Sequence, residues 1–261
     1  MTTTPWQCMD TGASPGAANM EFDERLVRRL QMGAGGQVLR LYRWRPWAIS
    51  VGYHQGVAEL DAARCARDGI DLVRRPTGGR AILHAEELTY SVVMIAGRRS
   101  VHQAYHEISK ALVRGLALFG VETRLQRSQP NFPALYRHAS SIPCFTSSAR
   151  YEIEWQGKKI VGSAQRRYAD GEHDVVLQHG SILCGPAHRR LVEYLALPDE
   201  ELAGRIRAEL TERTTDLQNI TGTAVDYTRL TDCIRRGFEE EWETAFEPVR
   251  EHDILIYDSH A

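Results

Sequence analysis

Apolar residues recur along this chain first at helical and then at strand spacing. Met20, Leu26, Val27 and Leu30 make one stripe of a helix over residues 16–32, with Gly33 placed to stop it. Gln37–Trp44 alternates apolar and polar as a half-buried strand does, and Ala48–Tyr53 is a second short strand after a turn at Pro46. A short helix over Ala58–Asp68 and a strand over Leu72–Arg75 lead to Pro76-Thr77-Gly78-Gly79, which forces a tight loop. Ala81–Leu83 and Leu88–Ile95 read as paired strands on either side of a loop at His84–Glu87. Ser100 is placed to cap a helix running to Phe119, and Gly120 to end it.

Residues 124–149 show no period and contain Pro130, Pro133 and Pro143. They read as a long surface loop, and long loops in compact domains are often functional. Tyr151–Trp155 and Lys158–Val161 flank Gln156-Gly157, a hairpin signature. Val175–Leu183 has the look of a buried strand, and helices over 187–196, 199–209 and 227–246, the last capped by Asp226, follow it. No internal repeat or linker interrupts the pattern. The fold class is therefore α+β: a mixed, mostly antiparallel sheet with surrounding helices. One domain spanning 1–261 is expected, with a core over 6–185 and a helical segment over 186–250.

Composition narrows the function. A net charge of −2 argues against a general nucleic-acid binder, which carries a basic excess. No apolar run approaches the ~20 residues of a membrane span, and the first residues lack the pattern of a signal peptide. The five cysteines, at 8, 65, 144, 184 and 233, form no CxxC pair, so no metal site is expected and reduced thiols in a cytoplasmic protein are the simplest reading. Only three of the 32 basic residues are lysine: Lys110, Lys158 and Lys159. Where lysine persists in so arginine-rich a chain, either chance or its deprotonatable ammonium accounts for it.

Four segments carry candidate chemistry. In Arg74-Arg75-Pro76-Thr77-Gly78-Gly79-Arg80-Ala81-Ile82-Leu83-His84, two glycines let backbone approach a ligand and the arginines can hold an anionic group. An ordinary turn with solvated arginines is the commoner cause of such a match, and a lone histidine such as His84 is more often structural. In Gly157-Lys158-Lys159-Ile160-Val161-Gly162-Ser163-Ala164-Gln165, strand alternation sends Ile160 to the core. Lys159 then points to the other side, where Gly162, Ser163 and Ala164 leave room for a substrate. A lysine in a dry cleft can stabilise negative charge developing on a carbonyl; a solvated hairpin lysine is the bland alternative. Cys144, in a polar loop, is a better nucleophile candidate than the cysteines in apolar segments, although loop cysteines are more often incidental. In Val176–Leu183, Gly180 suggests close packing or a ligand's passage within a core strand.

The order and spacing of these segments resemble the lipoate–protein ligase and octanoyltransferase superfamily, which shares its catalytic fold with biotin–protein ligases. The resemblance runs from Trp6 to Leu183 and includes Met9-Asp10-Thr11-Gly12, Asn19-Met20, Trp44-Arg45-Pro46, Ser50-Val51-Gly52-Tyr53-His54-Gln55 and Glu87-Leu88-Thr89-Tyr90-Ser91. It implies that Lys159 is the functional lysine and that the loop around Thr77, Gly78 and Gly79 closes over an acyl chain. Arg75, Arg80, His84, Gly162, Ser163 and Ala164 complete the implied substrate site. Ligases of the superfamily usually show three glycines where this chain has Arg80, and often carry a further C-terminal domain. Cys144, fifteen residues before Lys159, stands where the cysteine-dependent octanoyltransferases keep their nucleophile, and Tyr151-Glu152 also matches. The residues between, Thr146–Arg150, depart from the usual stretch.

The resemblance thus implies a protein N-octanoyltransferase. Octanoyl-acyl carrier protein would be the donor, and a lipoyl-domain protein such as the glycine cleavage H protein the acceptor. Arg74, Arg75 and Arg150 would face acidic carriers. No cofactor and no ATP are expected, since a thioester is already activated; a monomer is the default. The alternatives are an amidotransferase moving octanoyl or lipoyl groups between carriers, an ATP-dependent lipoate–protein ligase and a non-catalytic acyl-binding relative.

Overall fold

The computed structural model describes residues 6–126, 152–169, 171 and 173–248. Strand β1 (Trp6–Ser14) leads into helix α1 (Gly16–Gln31), which returns the chain to β2 (Gln37–Trp44), parallel to β1. A smaller unit follows: β3 (Ala48–Val51), a 3-10 turn (Val57–Glu59), α2 (Ala62–Arg67), β4 (Asp71–Arg74) and β5 (Ile82–His84). The chain then re-enters the first sheet through β6 (Glu87–Ile95) and crosses it with α3 (Val101–Phe119). Strands β7 (Arg124–Leu125), β8 (Ile153–Trp155), β9 (Lys158–Tyr168) and β10 (Val175–Leu183) complete that side. A 3-10 run (Pro186–Tyr194), α4 (Glu200–Arg213), α5 (Leu217–Thr221), α6 (Tyr227–Trp242) and a short β11 (Glu247–Pro248) follow.

Eight strands form one mixed sheet in the order β11-β1-β2-β6-β10-β9-β8-β7, and three form a second in the order β4-β3-β5. All neighbours from β2 to β7 are antiparallel; β11, β1 and β2 run parallel to one another. The expected α+β class with a mixed, mostly antiparallel sheet is what forms.

Local chemistry explains several boundaries. Ser100 caps α3 with a full capping box: its hydroxyl accepts from the Gln103 amide (3.2 Å) while the Gln103 side chain accepts from the Ser100 amide (2.8 Å). Gly120 ends that helix at φ +104°. Gln156 and Gly157 both take left-handed angles, φ +49° and +78°, as a tight two-residue hairpin requires. Asp226 caps α6 through the Arg229 amide (3.1 Å).

Other expectations are corrected. The segment 58–68 is not one helix: Asp61 accepts from the Arg64 amide (2.9 Å) and starts α2 afresh after the 3-10 turn. Residues 81–83 and 88–95 do not pair with each other. β5 pairs with β3, whereas β6 pairs with β2 and β10, so the His84–Glu87 link carries the chain from one sheet to the other. Strand β2 is not half-buried, because helices cover both faces of the sheet around it. The segment after Pro186 is 3-10 rather than α-helical, and α6 ends at Trp242. Arg124–Leu125 pairs with β8 as an edge strand, while the rest of the expected long loop, with Cys144 and Arg150, lies outside the described residues.

The large sheet is sandwiched. On one face Phe22, Leu26, Val27 and Leu30 of α1 pack on Val38, Val93, Val175 and Leu177. On the other, Ile108, Leu112, Ile234 and Phe238 of α3 and α6 pack on Leu39, Leu41, Val92 and Val176. Val176 and Leu177 thus serve opposite layers, as period-two geometry demands. The small sheet has its own apolar layer, with Ile49, Val51 and Leu83 against Leu191, Leu202 and Ile206. Helices α3 and α6 approach through Gly115 and Gly237; a Cβ on Gly237 would lie 2.3 Å from the Gly115 nitrogen. Gly237→Ala is therefore expected to lower stability by about 1–3 kcal/mol through overpacking, read as a lower urea midpoint with an unchanged slope.

Candidate active site

Where the two sheets meet they line a narrow, mostly apolar cavity. Tyr42 and Trp44 of β2 and Met20 of α1 form one wall. Ser50 of β3 with Ile82 and His84 of β5 form the wall from the small sheet. Gly162, Ser163 and Ala164 of β9 face His179, Gly180 and Ser181 of β10. Gly180 is required there: a Cβ would come within 2.4 Å of the Gly162 carbonyl oxygen and 2.8 Å of the Tyr90 ring.

Two acid–histidine–hydroxyl relays border this space. In the first, the Asp23 carboxylate meets His179 Nδ1 (3.1 Å), and His179 Nε2 meets the Thr77 hydroxyl (2.7 Å). Burial alone would raise the Asp23 carboxyl, but the Arg40 guanidinium and the His179 hydrogen bond outweigh it and hold it below its ordinary range. Burial pushes His179 down; Asp23 opposes this, while Arg75 and His84 add to it. His179 is therefore neutral near pH 7. Its Nδ1–H donates to Asp23, and its Nε2 accepts from Thr77.

In the second relay, His84 Nδ1 donates to Glu87 (2.8 Å), and its Nε2 meets the Ser50 hydroxyl (2.8 Å). Burial would raise Glu87, yet His84 and hydrogen bonds from Thr89 (2.6 Å) and Ser181 (2.8 Å) keep its carboxyl low. The Trp44 ring stacks on the His84 imidazole at 4.0 Å and donates its N–H to Thr89 (2.7 Å). On the far side of β10, the Tyr90 hydroxyl donates to Ser163 (2.6 Å) and accepts from Gln178 (2.9 Å); burial pushes its phenol up to about 12.

Arg75, His84, Gly162, Ser163 and Ala164 of the sequence-derived set line the cavity. Thr77 joins it through His179. The Arg75 guanidinium donates to the carbonyls of Gly78 (2.9 Å), Arg80 (2.7 Å) and Ser50 (3.0 Å), which folds the glycine loop around it. Gly79, at φ +100°, places its carbonyl where Gly52 admits no side chain. The Arg80 side chain pairs with Glu59 (3.4 Å). The expectation that Arg75 faces a carrier is corrected: it is buried, and its N–H groups are turned onto loop carbonyls. Arg74 is exposed, but its Nη1 is held by the carbonyls of Gly52, Tyr53 and Gln55.

Lys159 is the second residue of β9, three residues before Gly162, and is not among the described residues that line the cavity. It is buried, and its ammonium donates to Glu152 (2.5 Å). Cys144 lies outside the described residues.

Sequence reasoning missed His179, Ser50, Ser181, Asp23 and Arg40. The first three had a signal, since polar residues interrupt otherwise apolar strands. Asp23 and Arg40 had none, because each fits an ordinary solvent-facing position on its element.

The profile of the lipoyl protein ligase A/B catalytic domain matches residues 15–239. The octanoyltransferase LipM of Kyrpidia tusciae is 36% identical over 248 residues, covering 93% of this chain and 89% of the relative. That of Symbiobacterium thermophilum is 38% identical over 242 residues, covering 90% and 85%. Among solved structures, a bipartite lipoate protein ligase from Thermoplasma acidophilum superposes with a TM-score of 0.74 at 22% identity, over 98% of this chain and 92% of that one. A lipoate-protein ligase A bound with ATP gives 0.73 at 22% identity, over 98% and 94%; both show the fold alone. The chain belongs to the lipoyl protein ligase A/B catalytic domain family. Within it, the protein is an acyltransferase, an enzyme of octanoyl transfer in lipoate biosynthesis.

The linked groups predict an acid-labile fold. His179, depressed below its ordinary 6.5, contributes stability that is lost as pH falls below about 6.5. Asp23 and Glu87, depressed from 3.8 and 4.5, contribute stability present above those values and lost below them. Asp23→Asn, which leaves Arg40 buried without its counter-charge, is expected to cost about 3–5 kcal/mol. It is also expected to flatten the acid limb of the melting temperature against pH. An unaltered limb would count against this assignment.

Proposed function

We propose that the enzyme transfers octanoyl from octanoyl-acyl carrier protein to a lysine of a lipoyl-domain protein, the glycine cleavage H protein being the expected acceptor. The observation that carries this reading is the apolar cavity between the sheets, lined by Arg75, His84 and Gly162–Ala164, on the same strand that carries the buried Lys159. In the first half-reaction the Cys144 thiolate attacks the donor thioester. The carbon–sulfur bond to the carrier breaks, the carrier sulfur departs as a thiolate that takes up a proton from solvent, and an octanoyl-cysteine thioester remains. In the second, the acceptor amine attacks that thioester, the amide forms, and the cysteine sulfur leaves and takes up the amine's proton. Lys159 stabilises the oxyanion in both steps; one such donor is worth about 3–4 kcal/mol. Arg75, Thr77, Gly78, Gly79, Arg80 and His84 shape the acyl site, and Gly162, Ser163 and Ala164 leave space for the chain. The proposal includes a monomer acting in the cytoplasm, without ATP or metal; no described helix is long and apolar enough to cross a membrane.

Intact-protein mass spectrometry after incubation with octanoyl-acyl carrier protein, without ATP, tests the reading. An adduct of about 126 Da, the mass added by octanoylation in a covalent intermediate, is expected on the native enzyme and not on Cys144→Ala. Transfer that appears only with ATP would make the protein a ligase. Lys159→Ala is expected to lower the single-turnover rate about 10²–10³-fold.

A further inference from the structure

The ion pair at the head of β9 places a second residue in the chemistry. Lys159 and Glu152 are both almost wholly buried, at 5% and 4% exposure, and the ammonium meets Glu152 Oε1 at 2.5 Å. The surrounding backbone is built to hold them. Lys159 faces Glu154 in the β8–β9 register, which shifts between Ile153 and Glu154. On the other edge, the Lys159 carbonyl accepts from the Thr215 amide (3.0 Å), and Lys159 bridges to Thr214. The Glu152 carbonyl accepts from the Gln126 amide (2.8 Å). A buried ammonium is stable only beside an anion, because desolvation favours its neutral form.

We propose that Glu152 is a positioning residue whose carboxylate holds the Lys159 ammonium charged and aimed, so that the lysine acts as a hydrogen-bond donor to the acyl carbonyl and never as a base. The inference rests on the reading of Lys159 given above. It assigns the attacking amine's proton to the departing thiolate rather than to the lysine. Other ionisable groups on elements packed against β9 include Glu154 on β8, Lys158 on β9 itself, His106 on α3, Cys184 at the end of β10, Arg213 on α4 and Asp216 beyond it. Of these, Cys184 is neutral, its thiol pushed up to about 12 by burial, and Asp216 pairs with Arg189 (3.4 Å).

Glu152→Gln keeps the shape and a hydrogen-bond acceptor but removes the charge, so the buried ammonium loses its proton more easily. The rate of octanoyl transfer is then expected to fall as pH rises, by about tenfold per pH unit above the shifted ionisation. Near pH 6 it should approach the native rate, with the KM for the acyl donor unchanged throughout. A merely structural role would give the same loss at every pH together with a lower melting temperature. A base role would make the variant faster at neutral pH. Either result overturns the inference. Should Glu152→Gln not fold, Glu152→Asp carries the test: its withdrawn carboxylate must shift the alkaline limb the same way by less, and an unmoved limb refutes the role. Lys159→Ala, assayed in parallel, separates the two readings. A fully active Lys159→Ala removes the lysine from the mechanism and the inference with it. An inactive Lys159→Ala with a native profile in Glu152→Gln defeats the role of Glu152 alone.

Discussion

One buried arginine organises the neighbourhood of the cavity. Arg40, on strand β2, donates to Asp23 (2.8 Å), to the Asn19 side chain (2.7 Å) and carbonyl (3.0 Å), and to Thr11 (2.9 Å), and its guanidinium lies 3.9 Å from the centre of the Tyr42 ring. A guanidinium in so dry a place must be matched group by group. The match ties α1 to β1 and β2 in a single register. The consequences run outward, because the second oxygen of Asp23 accepts from Tyr42 (3.2 Å) and from His179. His179 in turn receives the Thr77 hydroxyl, so the glycine loop is fixed by a charge on the far side of the cavity wall.

The cavity therefore combines features that usually exclude each other. Its described walls are mostly apolar, yet seven hydroxyl- or imidazole-bearing side chains, Tyr42, Ser50, His84, Thr89, Ser163, His179 and Ser181, stand in them. They are tolerable because each has an internal partner. The carboxylates behind, Asp23 and Glu87, set which ring nitrogen carries the proton. Lys159 and Glu152 form a separate compensated pair outside that wall.

Much of this was legible in the residues. Ser100 with Gln103, Gly120, and Gln156-Gly157 act within a few positions of themselves, and the elements they predict are present. The glycine loop and the small residues after Lys159 were also visible as candidates, since missing side chains signal close approach. What failed depended on distant partners. The apolar run of β6 fits any neighbour, so pairing it with β5 was natural and wrong: the link from His84 to Glu87 changes sheets. Arg75 looked like a surface charge because nothing local shows that three carbonyls converge on it. Asp23 and Arg40 find each other across 17 positions, a distance over which periodicity carries no information.

That change of sheets has a mechanical consequence. Ser50 and His84 belong to the small sheet, whereas Glu87, Thr89 and Ser181 belong to the large one, and all but Glu87 line the same cavity. Under the proposed function, an acyl chain lodged there would be gripped by two separately packed bodies at once, like a dowel across a joint. Its binding energy resists their separation as well as its own escape. The loaded enzyme would then be the stiffer one, and the bound fatty chain would serve for a time as part of the protein's interior.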